Sequence, residues 1–310
     1  MYTKTIIFLL SFVFLNMLLG NIYGQDNQTR KPNIVFIMAD DLGWRDNGFN
    51  GADFFETPNI DRLRESGMNF TNSYPGAANC APSRAMIMTG MYSPRTKIWT
   101  PGGKAKGEFK YMKFLVPNQN KDTETIPSKL ELSPEVNTLA KTLKSAGYST
   151  AHFGKWHLGD NGLGFDINDT NGKGGKLGQN FYGNIDVHEN LTDATINYIK
   201  KNKDNPFFIY LCHWDVHTPI RCREEYKQIY EDKLAAHKWN REWNTTYAGM
   251  IHAVDLSVKR IWETLKKENL LENTLIIFTS DNGGLAQVIL YPSFATRGKL
   301  ICIYNAFFSN

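Results

Sequence analysis

The chain has 310 residues, 42% of them hydrophobic and 21% charged, the proportions of an ordinary globular protein able to bury a full core in one large domain or two small ones. Its 35 basic and 31 acidic residues leave a net charge of +4 with no basic run, which argues against a phosphate-tracking surface and against nucleic acid as a partner. Four cysteines (Cys80, Cys212, Cys222, Cys302) are too few and too scattered for a disulfide framework, although a Cys212–Cys222 pair stays open.

At the N-terminus Lys4 precedes an apolar run from Ile6 to Leu19, broken by Ser11 and Asn16, with small residues at Gly20 and Gly24. That pattern reads as a secretory signal peptide over 1–24. The run is shorter than the roughly 20 residues of a spanning helix, and no later segment is long and apolar enough to cross a bilayer. A secreted or periplasmic protein with no stable membrane span is expected, a lysosomal-type lumen being the less favoured address. Asn27, Asn69, Asn168, Asn190 and Asn244 open N-x-[ST] sequons, which arise by chance in Asn-rich chains.

Asn33–Ala39 (NIVFIMA) is nearly continuous in apolar residues, the mark of a strand buried on both faces. Thr57-Pro58 opens a helix that Gly67 ends, and Ser133-Pro134 opens another running to about Ala146. A short strand over 149–153 and a helix over about 190–202 follow, the helix ending in lysines that suit its dipole. Pro206–Cys212 (PFFIYLC) and Thr274–Thr279 (TLIIFT) read as further buried strands. Between them Tyr247, Ile251, Val254, Val258, Ile261 and Leu265 recur at helical spacing. Gly102–Asp122 and Gly159–Gly178 read as long surface loops able to shape a substrate site. Alternating helices and doubly apolar strands predict an α/β fold with a largely parallel central sheet covered on both faces.

Two of the buried strands end in acidic clusters, Asp40-Asp41 and Asp281-Asn282. Ligands of open α/β sheets sit beyond the carboxyl ends of the strands. Either acidic pair alone reads as a turn cap; two in one chain favour a hard oxygen site for Ca²⁺ or Mg²⁺. Cys80-Ala81-Pro82-Ser83-Arg84 places a cysteine at a helix N-terminus with an arginine one turn on. It reads equally as an anion-facing position or as a buried cysteine before a Pro-started helix. Lys155 and His157 follow a strand in Gly154–Gly159 and alternate by two, which in an extended segment points them to one side. His217 follows another strand, a place where a lone histidine is more often structural.

Together these segments resemble the sulfatase family of the alkaline-phosphatase-like superfamily, over nearly all of Pro32 to Gly284. The motifs are NIVFIMADDLGW, CAPSR with its trailing MTG, GKWHLG, the histidine before Thr218-Pro219, and TSDNGG. The resemblance implies that a separate maturation enzyme oxidises Cys80 to formylglycine. One hydroxyl of the hydrated aldehyde would attack sulfur and expel the alcohol, and the second would let the intermediate collapse with release of sulfate. It further implies that Asp40, Asp41, Asp281 and Asn282 bind the metal, Ca²⁺ before Mg²⁺, with residue 80 as a further ligand. Arg84 would orient residue 80, His157 would serve the diol as base, and Lys155 and His217 would grip the sulfate, with His217 protonating the leaving oxygen. The substrate would be a sulfated carbohydrate or an aryl sulfate. A phosphodiesterase or phosphonate hydrolase on the same fold, and an inactive remnant that keeps the metal, are the rival readings.

After about residue 285 the chain departs from the family pattern. Where relatives carry R-x-x-K or R-G-x-K, this one reads Arg297-Gly298-Lys299-Leu300, with the lysine one place early. Lys299 remains a catalytic candidate. The expected organisation is a signal peptide over 1–24 and a catalytic domain over 25–310 that is truncated, with a divergent tail and no C-terminal subdomain.

Overall fold

Parallel pairing of three apolar strands builds the centre of the molecule. In the computed structural model, residues 30–101, 128–129, 131–159, 162–169 and 184–284 and the backbone of 301–304 are described. The fold belongs to the unit Pro32–Asn310; of the unit Met1–Lys31 only the last two residues are described. β1 (Asn33–Ala39) lies between β5 (Phe207–Cys212) and β6 (Thr274–Ser280), with Ile37 opposite both Leu211 and Phe278. β5 also pairs with β3 (Ser149–Gly154), and β3 with β4 (Ile167–Asn168). Two antiparallel strands, β7 (Ile301–Tyr304) and β2 (Met68–Asn69), complete a sheet of order β2-β7-β6-β1-β5-β3-β4.

β5 is buried along its whole length because helices cover both of its faces, and β1 and β6 alternate buried with half-buried residues before closing fully at their carboxyl ends. On one side Val35, Ile37, Ile209, Leu211, Ile276 and Phe278 meet α7 (Thr245–Lys267) through Ile251, Val254, Val258 and Ile261. α1 (Pro58–Glu65), α5 (Val187–Lys201) and α6 (Glu224–Ala236) complete that layer. On the other side Met38, Phe208 and Tyr210 pack on α2 (Cys80–Thr89), α4 (Leu139–Ser145), Trp156 and Phe165. Each fully buried Leu, Ile or Phe in these layers stabilises the fold by about 1.5–3 kcal/mol. α7 is capped by Asn244, whose side chain accepts from the Tyr247 N–H, and it ends in Lys266 and Lys267. A short helix, α3 (Ser93–Thr96), follows α2. Among the described residues no helix is long and apolar enough to cross a membrane.

Several expectations need correction. Ser133-Pro134 does not open a helix: it forms a turn in which the Val136 N–H reaches the Ser133 carbonyl. α4 starts at Leu139 instead, where Thr138 caps it by accepting from the Lys141 N–H while donating to the Leu163 carbonyl at 2.6 Å. α5 begins at Val187, ahead of the expected Asn190. The stretch expected as a loop over 159–178 contains β4. Cys212 and Cys222 carry free thiols, so they are not paired. The signal segment, the loop over 102–122 and Lys299 lie outside the described residues.

Candidate functional site

The site forms where β1 and β6 end side by side. The ladder continues past the strands: Asp281 N–H donates to the Ala39 carbonyl, Asp40 N–H to the Asp215 carbonyl at 2.9 Å, and Val216 N–H to the Asp40 carbonyl at 2.7 Å. These bonds bring Asp40 and Asp281 to adjacent positions. Asp41 turns away from the strand with φ of 59°, in the left-handed region that costs a residue with a β-carbon about 1–2 kcal/mol. Its N–H is taken by Asp281 Oδ1 at 3.2 Å, and the next N–H, that of Leu42, by Ser280 Oγ at 3.0 Å.

α2 delivers Cys80 and Arg84. Ser83 closes the preceding loop, donating to the Ala77 carbonyl and accepting from its N–H. All residues from Cys80 to Ala85 are buried. Arg84, fully buried, donates from Nε and Nη2 to Asp281 Oδ2, from Nη2 to Asp40 Oδ1 at 3.2 Å, and from Nη1 to the Lys155 carbonyl at 2.7 Å. The guanidinium thus directs its Nε and Nη2 bonds to the carboxylates and its Nη1 bond to the main chain. The thiol of Cys80 is met by the Lys155 ammonium, at 3.4 Å, and lies 3.9 Å from Asp41 Oδ1.

Lys155 enters through a glycine. Gly154 has φ of 101°, and a β-carbon there would lie 1.8 Å from the Cys212 carbonyl oxygen. The turn lets Lys155 leave β3 and bond Asp40 Oδ2, with its ammonium 5.5 Å from the centre of the Trp214 ring. The expected side-by-side alternation of Lys155 and His157 does not occur in extended backbone, because His157 itself has φ of 64°. His157 is still close enough to feel Lys155 and Arg84. Burial first, and then these two cations, push its pKa down to about 3, so the imidazole is neutral. Its Nδ1 is buried without a hydrogen-bond partner. His217 reaches the cluster with Nε2 3.6 Å from Asp41 Oδ2, while Nδ1 donates to the Thr218 carbonyl at 2.6 Å.

Charge defines the chemistry available. Burial alone would raise Asp40, but Lys155 and Arg84 outweigh it and hold the carboxyl below its ordinary value. Burial raises Asp41, and burial followed by the Asp40 charge raises Asp281 to about 6. Burial would pull Lys155 down, yet Asp40 together with the other acidic groups around it more than offsets this and keeps the ammonium charged. The Cys80 thiol is pushed well up, by burial first and then by Asp40 and Asp281, so an unmodified thiol here stays protonated and weakly nucleophilic.

Ligand atoms of Asp40, Asp41, Cys80 and Asp281 all lie within 4.8 Å of one another, and Cys80 and Asp40 make a similar group with His217. Asn282 donates to Asp41 Oδ1, while Asn282 Oδ1 and Asp41 Oδ2 are buried with no hydrogen-bond partner. Unsatisfied buried oxygens beside further carboxylates are what a hard cation neutralises. Two contributors were not read from sequence. Trp214 gives no local signal of its contact with Lys155, and Ser280 looked like an ordinary strand end.

A family model described as Sulfatase matches residues 32–293. A protein named Sulfatase from Formosa agariphila is 28% identical, over 91% of this chain and 63% of its own length. Human N-acetylgalactosamine-6-sulfatase is 28% identical, over 90% of this chain and 55% of its own length. Among solved structures, Ps i-CgsB in complex with k-i-k-neocarrahexaose has a TM-score of 0.65 and 29% identity, covering 88% of this chain and 65% of that one. The chain therefore spans roughly half to two thirds of the length of the curated relatives it matches.

Proposed function

The chain belongs to the sulfatase family, and we propose that it hydrolyses sulfate esters of carbohydrates at the cluster built by Asp40, Asp41, Cys80, Arg84, Lys155, His157, His217, Asp281 and Asn282. The observation that carries this reading is the charge balance. Three buried carboxylates face two buried cations, Arg84 and Lys155, and leave one net negative charge. One divalent cation reverses that sign and makes the site attractive to a sulfate monoester anion.

Asp40, Asp41, Asp281 and Asn282, with residue 80, would hold the cation. Calcium suits an oxygen-rich set of this kind better than magnesium, which keeps more of its water and demands near-ideal octahedral geometry. When bound, it supplies Lewis-acid polarisation and stabilises charge on oxygen. Residue 80 would work as formylglycine, made by a maturation enzyme, and its hydrate would supply a hydroxyl nucleophile.

Lys155, whose ammonium lies 3.4 Å from Cys80 Sγ, would hold a sulfate oxygen beside residue 80. His157, whose Nδ1 is buried without a partner, would serve residue 80 as its proton acceptor. His217 carries a proton on Nδ1 toward the Thr218 carbonyl, which leaves Nε2 to deliver a second proton to the leaving oxygen. Arg84 keeps Asp40 and Asp281 ionised and in register. The apolar run behind Lys4 supports action outside the cytoplasm.

The test is release of inorganic sulfate from sulfated N-acetylgalactosamine and carrageenan oligosaccharides by protein produced with a formylglycine-generating enzyme. A paired assay uses an aryl sulfate and an aryl phosphodiester. Calcium-dependent sulfate release is expected. Preference for the phosphodiester would assign the site to phosphoryl chemistry, and calcium binding without turnover would favour an inactive remnant.

A further inference from the structure

Ser280 is the last residue of β6 and is almost fully buried. Its hydroxyl oxygen accepts from the Leu42 main-chain N–H at 3.0 Å and donates to the Asn282 carbonyl at 2.8 Å. One small side chain therefore bonds to the backbone of both acidic loops.

The first bond fixes the peptide immediately after Asp41, whose backbone is left-handed. A residue with a β-carbon stays in that conformation only where its surroundings impose it. Here consecutive N–H groups are both anchored, that of Asp41 on Asp281 Oδ1 and that of Leu42 on Ser280 Oγ. The second bond fixes the peptide after Asn282, whose side chain lies against Asp41. Asp41 Oδ2 and Asn282 Oδ1, both buried without hydrogen-bond partners, are thereby held on loops tied to one hydroxyl.

We propose that Ser280 is a positioning residue for the metal: its hydroxyl locks the Asp41 and Asn282 loops into one rigid ligand unit and so sets the affinity of the site for a divalent cation. The proposal rests on the reading that these residues hold the metal, and it adds a group that touches neither metal nor substrate. Groups that orient ligands in this way typically contribute 10- to 100-fold to metal affinity.

The test is calcium titration by calorimetry on the full chain, after chelator treatment, for wild type, Ser280→Ala, Ser280→Thr and Ser280→Cys. Ser280→Ala should weaken calcium binding by about 10- to 100-fold. Ser280→Thr keeps the hydroxyl and should recover most of that affinity. Ser280→Cys keeps the size but offers a weak donor and acceptor, so it should bind less tightly than the threonine variant. It also serves if the alanine variant does not fold. Melting in excess chelator separates the roles: a residue important only to the fold lowers that temperature and leaves the affinity of the folded protein unchanged. Wild-type affinity in the alanine or cysteine variant would overturn the role of Ser280. No calcium binding by wild type would overturn the metal reading and this inference with it.

Discussion

Arg84 meets Asp281 twice at one oxygen: Nε lies 3.0 Å and Nη2 2.7 Å from Oδ2, and both side chains are fully buried. The same Nη2 reaches Asp40. This fork needs a planar guanidinium, which a lysine ammonium cannot imitate. Arg84→Met keeps the bulk but leaves Asp281 in the interior without its cation and Asp40 with Lys155 alone. Removing one partner of a buried pair costs about 3–5 kcal/mol, and that loss is expected in urea unfolding with chelator present. A loss below about 1 kcal/mol would put the pair in the class of solvated surface bridges.

Cys80→Ala should leave the fold intact and abolish sulfate release. The thiol makes only long contacts, at 3.4 Å to Lys155 and 3.9 Å to Asp41, so little stability depends on it. Melting temperature and ion chromatography of released sulfate check the two halves separately. Full turnover in the variant would remove residue 80 from the chemistry.

Asp255 offers a test on the fold away from the site. It lies on the buried stripe of α7 and accepts from the Asn59 N–H at 2.9 Å, the Ile60 N–H at 2.8 Å and the Asn59 side chain at 2.6 Å, so it caps α1 from a distance of 196 residues in sequence. Asp255→Ala should cost about 1–3 kcal/mol for each buried donor left without a partner. Burial raises this carboxyl to about 6 despite those bonds. A raised carboxyl pKa means that the folded state holds its proton longer than the unfolded one. The titration therefore favours folding most at low pH, and that contribution is lost as pH rises through about 6. Asp255→Asn should remove this pH dependence relative to wild type in denaturant titrations between pH 4 and 7.

His213 carries the opposite sign. It is fully buried, its Nε2 is 3.0 Å from Ser257 Oγ, and burial lowers its pKa to about 3. Between that value and the ordinary 6.5 the unfolded chain binds a proton that the folded protein refuses. Its contribution to stability is present above about 6.5 and declines as pH falls, by about 1.4 kcal/mol per unit. Because buried histidines and raised carboxyls oppose one another, the effect is read as a difference. His213→Gln should lose less stability than wild type on going from pH 7 to pH 4.5. Equal losses would mean that His213 is already charged in the folded protein.

The sheet was legible in the sequence because β1, β5 and β6 read as nearly continuous apolar runs, β5 being buried throughout and β1 and β6 at their carboxyl ends. Their acidic ends, and the cysteine and arginine one helical turn apart, could be placed from strand polarity and helix spacing alone. α6 was not foreseen, since Tyr230 is its one fully buried residue and its periodic signal is faint. The true start of α4 depends on the Leu163 carbonyl, which is remote in sequence from Thr138. The left-handed turn at His157 and the bonds of Ser280 arise in the same way, from tertiary partners that no local window contains.

β1 occupies the middle of the sheet, yet one of its two neighbours is separated from it by about 240 residues. During synthesis the ribosome delivers that neighbour after β5, so the chain must emerge through Asn282 before the acidic pocket can exist. Until then one margin of β1 offers open backbone to any passing strand, the circumstance in which nascent α/β proteins depend most on chaperones.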